Sequence, residues 1–117
     1  MDFTGLNKLE KLFGDRFLTL IHQHIDVSRK NIDAARQAIQ ANDAETLERT
    51  MHSLKSSCGQ FGSMRVSALA ADMERLGKSG DIGHAGRLWS EVHDTHERVV
   101  ELLKRKFNLD GDDEAVA

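Results

Sequence analysis

Leu47-Glu48-Arg49-Thr50-Met51-His52-Ser53-Leu54-Lys55-Ser56-Ser57-Cys58-Gly59-Gln60-Phe61-Gly62 is the stretch that decides the fold. Leu47, Met51, Leu54, Cys58 and Phe61 recur at alternating spacings of four and three, which puts them on one stripe of an α-helix. With roughly 100° of turn per residue, His52 falls about 140° from that stripe, on the polar face. Glu48 and Lys55 flank it one turn to either side, and Ser56 and Gly59 follow on the next turns. An imidazole therefore stands on the outer face of a core helix, with little side-chain bulk C-terminal to it. A structural histidine belongs on the other face. A group that has to meet another protein's active site belongs on this one.

The same periodicity extends outward in both directions. Thr4 is a candidate cap for a short opening helix through about Phe13; Gly14 ends it and Asp15 can cap the next. Phe17, Ile21, His24, Ser28, Ile32, Ala35 and Ile39 line one face of a long helix reaching about Ala41, roughly 40 Å at ~1.5 Å per residue. Asn42, with Glu45 three residues on, has the form of a capping box opening the His52 helix. Ser63 can cap a further helix striped by Val66, Leu69, Met73 and Leu76, with Gly77 as its C-cap. Asp81 is then the cap of a last helix, whose seam is Ala85, Trp89, Val92, His96, Val99 and Leu103. Amphipathic helices joined by short connections bury their stripes most simply as a bundle. The expected fold is all-α, an antiparallel up-down four-helix bundle with a short additional N-terminal helix. Residues 1–110 form the domain, and 111–117 an acidic flexible tail.

Composition agrees with this architecture and narrows the function. The 117 residues suit one core, and the absence of proline suits long uninterrupted helices. At 39% hydrophobic and 30% charged, no apolar run approaches the ~20 residues needed to span a membrane. Net charge is −3 and the cations are dispersed, which argues against a nucleic-acid partner. The N-terminus lacks the basic start and apolar block of a secretory signal, and Cys58 is the single cysteine. A cytoplasmic protein without disulfides is expected.

His52 is suited to carrying a phosphoryl group. Imidazole titrates near neutrality, so a neutral ring nitrogen is available as a nucleophile, and the phosphorylated ring hands its group on readily. Lys55 is within side-chain reach of phosphate oxygens. Ser56 and Gly59 keep the adjoining surface low. Glycine in mid-helix costs about 1 kcal/mol relative to alanine, so Gly59 implies either surface clearance or tight helix packing.

With these residues in place, the chain resembles the histidine-containing phosphotransfer (HPt) domains of phosphorelays. That family's pattern runs His-x-Leu-Lys-Gly followed by two small residues, a glycine ten positions after the histidine, and apolar positions ending in Leu-Glu. His52, Leu54, Lys55, Ser57, Gly62, Val66, Leu69, Met73 and Glu74 match it without a gap, with Ser56 where glycine is usual. The resemblance implies that His52 is the phosphoacceptor and Lys55 the phosphate-stabilising residue. Glu48, Ser56, Gly59 and Gly62 would lie on the docking surface or keep it clear. It further implies an aspartyl-phosphate donor on a receiver domain, a second receiver as acceptor, and no kinase activity in the domain itself. The expected partners are response-regulator receivers or a hybrid sensor kinase, met by a monomer. No cofactor is expected beyond Mg²⁺ on the receiver.

Three other readings compete. Most exposed histidines are simply solvated, so a non-catalytic helical interaction domain with an incidental His52 is the main alternative. A metal site using His24, His93 or His96 is less favoured, because His24 and His96 fall on apolar seams and read as core histidines. His22 and His24, two residues apart, diverge around a helix. A hydrolase finds no paired carboxylates or triad at informative spacing. Cys58, on the stripe, reads as a small buried hydrophobe, Trp89 as a core anchor, and Lys8, Lys11, Arg29 and Lys30 as solvated faces.

Overall fold

The computed structural model describes residues 3–109. The tail expected over 111–117 lies outside them. Five helices follow in order: α1 (Thr4–Phe13), α2 (Phe17–Gln40), α3 (Ala44–Gln60), α4 (Met64–Ser79) and α5 (Ala85–Phe107). Single 3₁₀ turns at Gly14–Arg16 and Ile82–His84 lead into α2 and α5, and no strand occurs among the described residues.

Side-chain pairings fix the directions of the helices. Arg29 of α2 forms a two-pronged ion pair with Glu97 of α5, and Trp89 Nε1 of α5 donates to the Ile32 carbonyl at 2.7 Å. Nearer the α5 C-terminus, Phe17 meets Phe107 edge to face. Positions rise along α2 as they fall along α5, so the two run antiparallel. On α2 and α3, His24 stacks on Phe61 with ring centroids 4.1 Å apart. On α3 and α4, Glu48 lies against Gly77 and Lys55 against Ser67. The four long helices therefore run up and down around one core that includes Ile21, Ile32, Leu47, Met51, Leu54, Val66, Met73, Val92 and Leu103. α1 covers one end of it with the fully buried Leu6, and Phe3 packs edge-on against Phe107.

The helix ends correct several sequence expectations. α2 to α5 all stop in one way: a residue with positive φ (Asn42, Gly62, Gly80, Asn108) follows the helix. The next amide then bonds back to a carbonyl five residues earlier, as in Asp43 N–H to Ala38 O, Ser63 to Cys58, Asp81 to Leu76 and Leu109 to Lys104. Asn42 is thus the stop of α2 and not the cap of α3. That cap is Asp43, whose carboxylate accepts from the Thr46 amide at 3.1 Å. Gly77 does not end α4, which continues to Ser79 and closes on Gly80. At the N-termini, α1 begins on the Phe3 carbonyl, so Thr4 is its first helical residue. Asp15 lies inside the 3₁₀ turn, which breaks from α1 at Gly14 with a φ of 55° and passes through a near-helical Arg16 into α2 without a side-chain cap. Ser63 occupies the cap position of α4, but its buried hydroxyl makes no hydrogen bond. Asp81 precedes the second 3₁₀ turn and accepts from the His84 ring at 2.8 Å.

Interior polar groups follow the sequence reading more closely. His24 and His96 are buried, and Cys58 is fully buried, its thiol pushed up to about 12 by burial. Trp89 is half-buried over the α2–α5 seam. Arg29 is not merely solvated, since it ties α2 to α5 through Glu97.

Candidate functional site

His52 lies midway along α3, and its side chain is 61% exposed. The inward stripe of the helix holds Leu47, Met51, Leu54 and Cys58, all fully buried, which forces His52 to the other face. The ring is not left to rotate freely. Its Nδ1 lies 2.7 Å from Oε2 of Glu74, on the facing helix α4. The second carboxylate oxygen of Glu74 accepts from Lys55 Nζ at 2.6 Å. One buried carboxylate, 7% exposed, therefore clasps both the histidine and the lysine.

The lysine hydrogen bond, aided by the histidine, holds the Glu74 carboxyl below the usual carboxylate range, against the opposing effect of burial. Glu74 is thus an anion that can only accept, so Nδ1 carries the proton. The lone pair then belongs to Nε2, the other ring nitrogen. A ring held in this tautomer has an unprotonated nitrogen that Glu74 does not occupy.

The surroundings are low and open. Ser56 is exposed on the next turn, and Lys55 is 35% exposed, close enough for its ammonium to reach a group on the ring. On the other side of His52, a shallow depression of ≈550 Å³ is bordered by Glu48, Arg49 and Lys78. Gly59 faces α4: a Cβ there would lie 3.5 Å from Ser67 Oγ, an ordinary contact. Gly62 lies beyond the end of α3, and its φ of 79° gives it a backbone reason to be glycine.

The remaining histidines do not converge with His52. His24 and His96 are in the interior, while His93 stacks on Trp89 at the surface. Among the described residues no group of three or more His, Cys, Asp or Glu side chains could hold a metal ion. No helix among them is long and apolar enough to cross a membrane.

Glu74 is the site residue whose role the sequence reading missed, although it fell on the family pattern. Two signals pointed to it. It shares the spacing of Ala70 and Gly77, so an acid sits on a face otherwise made of small and apolar residues. It also lies about as far beyond the Phe61–Ser63 turn as His52 lies before it, which places the two opposite one another once α3 and α4 fold back.

A model of the Hpt domain family matches residues 19–102, most of the chain and all of this site. The chain belongs to the Hpt domain family. An Hpt domain is a phosphocarrier of phosphorelays and not a kinase, and receiver domains are its class of partner. No curated protein sequence matches the chain. Among solved structures, the fold is similar to the crystal structure of histidine-containing phosphotransfer protein B (HptB) from Pseudomonas aeruginosa PAO1. The TM-score is 0.87 over 91% of this chain and 92% of that one, with 23% identity. At that identity the likeness bears on the architecture of the Hpt domain, the helical bundle described above.

Proposed function

We propose that this Hpt domain accepts a phosphoryl group on His52 from an aspartyl-phosphate of one receiver domain and passes it to the aspartate of another. The carrying observation is the 2.7 Å contact between His52 Nδ1 and the Glu74 carboxylate, which supports a proton on Nδ1 and Nε2 as the nucleophile. The Nε2 lone pair attacks phosphorus in line, the N–P bond forms, and the P–O bond to the receiver breaks as its carboxylate departs. As the ring becomes positive, Glu74 stabilises it across Nδ1. Lys55, already drawn to the same carboxylate, neutralises phosphoryl oxygens. Transfer onward reverses these steps toward the second aspartate.

Mg²⁺ belongs to the receiver, and the chemistry asks for no cofactor on this chain. Glu48, Ser56 and Gly59 border the surface the receiver would cover, and Gly62 contributes by closing α3. This reading implies a cytoplasmic monomer, meeting response regulators or a hybrid sensor kinase one at a time.

The test is transfer of labelled phosphate from a phosphorylated receiver. Wild type is expected to acquire acid-labile label and His52→Gln none. Equal labelling of the two would overturn the assignment.

A further inference from the structure

The α3–α4 pair comes together closely at one glycine. A Cβ at Gly77 would lie 2.8 Å from the Glu48 nitrogen, 2.9 Å from Glu48 Cα and 3.0 Å from the Ala44 carbonyl oxygen. All three are backbone atoms of α3, so no side-chain rotation relieves the overlap, and only a shift of one helix against the other can. Gly77 lies one turn beyond Glu74 on α4, and Glu48 one turn before His52 on α3. The contact therefore sets the helix separation beside the clasp. At the other end of the clasp, Ser67 Oγ of α4 donates to the Lys55 carbonyl at 2.8 Å. The hydrogen bonds from Glu74 to His52 and Lys55 lie between these two fixed points.

We infer that Gly77 is a positioning residue for the phosphoacceptor: its missing side chain brings α4 close enough to α3 for the short, buried Glu74 side chain to hold the His52 ring. Ser67 is its counterpart at the Lys55 end. Glu74 is held through both carboxylate oxygens, so as the helices part it cannot keep both bonds at once. A Cβ at residue 77 would open the pair as a wedge, with Ser67 as the hinge. The His52 bond, nearer the wedge, would lengthen before the Lys55 bond. The inference rests on His52 as phosphoacceptor, but it acts on ring geometry, which is read without any transfer.

The experiment compares Gly77→Ala with wild type by ¹⁵N NMR of the His52 ring and by labelled transfer from a phosphorylated receiver. Gly86→Ala is the control, because a Cβ there meets nothing within 4 Å. In Gly77→Ala the population of the Nδ1–H tautomer should fall and transfer should slow about tenfold, a part of the roughly hundredfold loss that a ~1 Å misplacement of a reacting group can cause. Gly86→Ala should change neither. In a Glu74→Ala background, Gly77→Ala should cost less than about twofold more, since the route through Glu74 is already gone.

A wild-type tautomer population and rate in Gly77→Ala would overturn the inference, and so would an undiminished slowing in the Glu74→Ala background. Should Gly77→Ala fail to fold, Ser67→Ala releases the other fixed point. It should loosen the ring's tautomer preference and slow transfer about threefold, and an unchanged ring and rate would again sink the idea. If instead His52→Gln still accepts label, the phosphoacceptor reading falls while the tautomer result stands on its own.

Discussion

His52 depends on a residue 22 positions away. Its exposure follows from its own helix, but the tautomer of its ring follows from Glu74. This makes the two oxygens of Glu74 separable by substitution. Glu74→Gln keeps one carbonyl oxygen to accept from Nδ1 but presents an amide to Lys55, which cannot donate to it. Glu74→Ala loses both contacts. Transfer should therefore slow in the order Glu74→Gln, then Glu74→Ala, with the alanine variant down on the order of tenfold to a hundredfold. Neither should unfold the domain. The partners left behind are substantially exposed and regain water, so the stability change should stay within about 1 kcal/mol by thermal melting. Equal rates for both variants would mean the ring is held by something else. If Lys55 neutralises phosphoryl oxygens as proposed, Lys55→Ala should cost about tenfold in rate, equivalent to ~1.4 kcal/mol. An unchanged time course would take Lys55 out of the mechanism.

At the scale of the elements, helix boundaries and register carry the argument. Asp43 caps α3 through the Thr46 amide and hydroxyl, away from the His52 face. Asp43→Ala should lower Tm by a few degrees while leaving phosphoryl transfer untouched. A matching loss for Asn42→Ala would arise differently, from forcing a side chain without a local hydrogen-bonding group into a left-handed backbone. Gly59→Gln tests clearance along the edge of α3 that borders α4. Because an added Cβ meets only the Ser67 hydroxyl, at 3.5 Å, the helix has room for it, and slower transfer with little change in Tm is the expected result. Parallel loss of both would assign Gly59 to packing alone. These residues also show what a sequence can and cannot deliver. The stripes of α2 to α5 and the outward direction of His52 are properties of single helices, and each was legible from spacing. Asn42 and Asp43 are both good capping residues, and the choice between stopping α2 and starting α3 turned on which of them takes positive φ. Gly77 could signal a helix end or a close approach, and only the neighbouring backbone of Glu48 distinguishes them. Glu74 was hardest to assign, because its role arises from the register between two helices.

For the whole molecule, two histidines in one core make stability depend on pH. Burial, and then the nearby charge of His96, lowers His24 to about 4 from an ordinary value of 6.5. Burial also lowers His96, with the Glu97 carboxylate pulling the other way and Arg29 and His93 reinforcing the drop. An unfolded chain takes up protons on these rings near pH 6.5, whereas in the folded one His24 resists until about pH 4 and His96 until below its ordinary value. Between those values the unfolded state binds more protons, so acid favours it. Stability should be full above about pH 6.5 and decline as pH falls toward 4, by on the order of 3 kcal/mol from His24 at ~1.4 kcal/mol per pH unit. Glu74 and Glu97, both held below the usual carboxylate range by their cationic partners, add a second decline that begins as pH falls below about 4.5, their ordinary value, and continues as their folded forms take up protons. Urea unfolding at intervals from pH 7.5 to 4.5 resolves the first phase. His24→Phe keeps an aromatic ring against Phe61 and removes the titrating group, so its stability should be much flatter over that range. If it fell as steeply as wild type, the acid sensitivity would have to come from His96 or from outside the core. The same substitution should leave transfer at neutral pH intact, because His24 is neutral there, lies in the α2–α3 interior, and touches neither His52 nor its clasp.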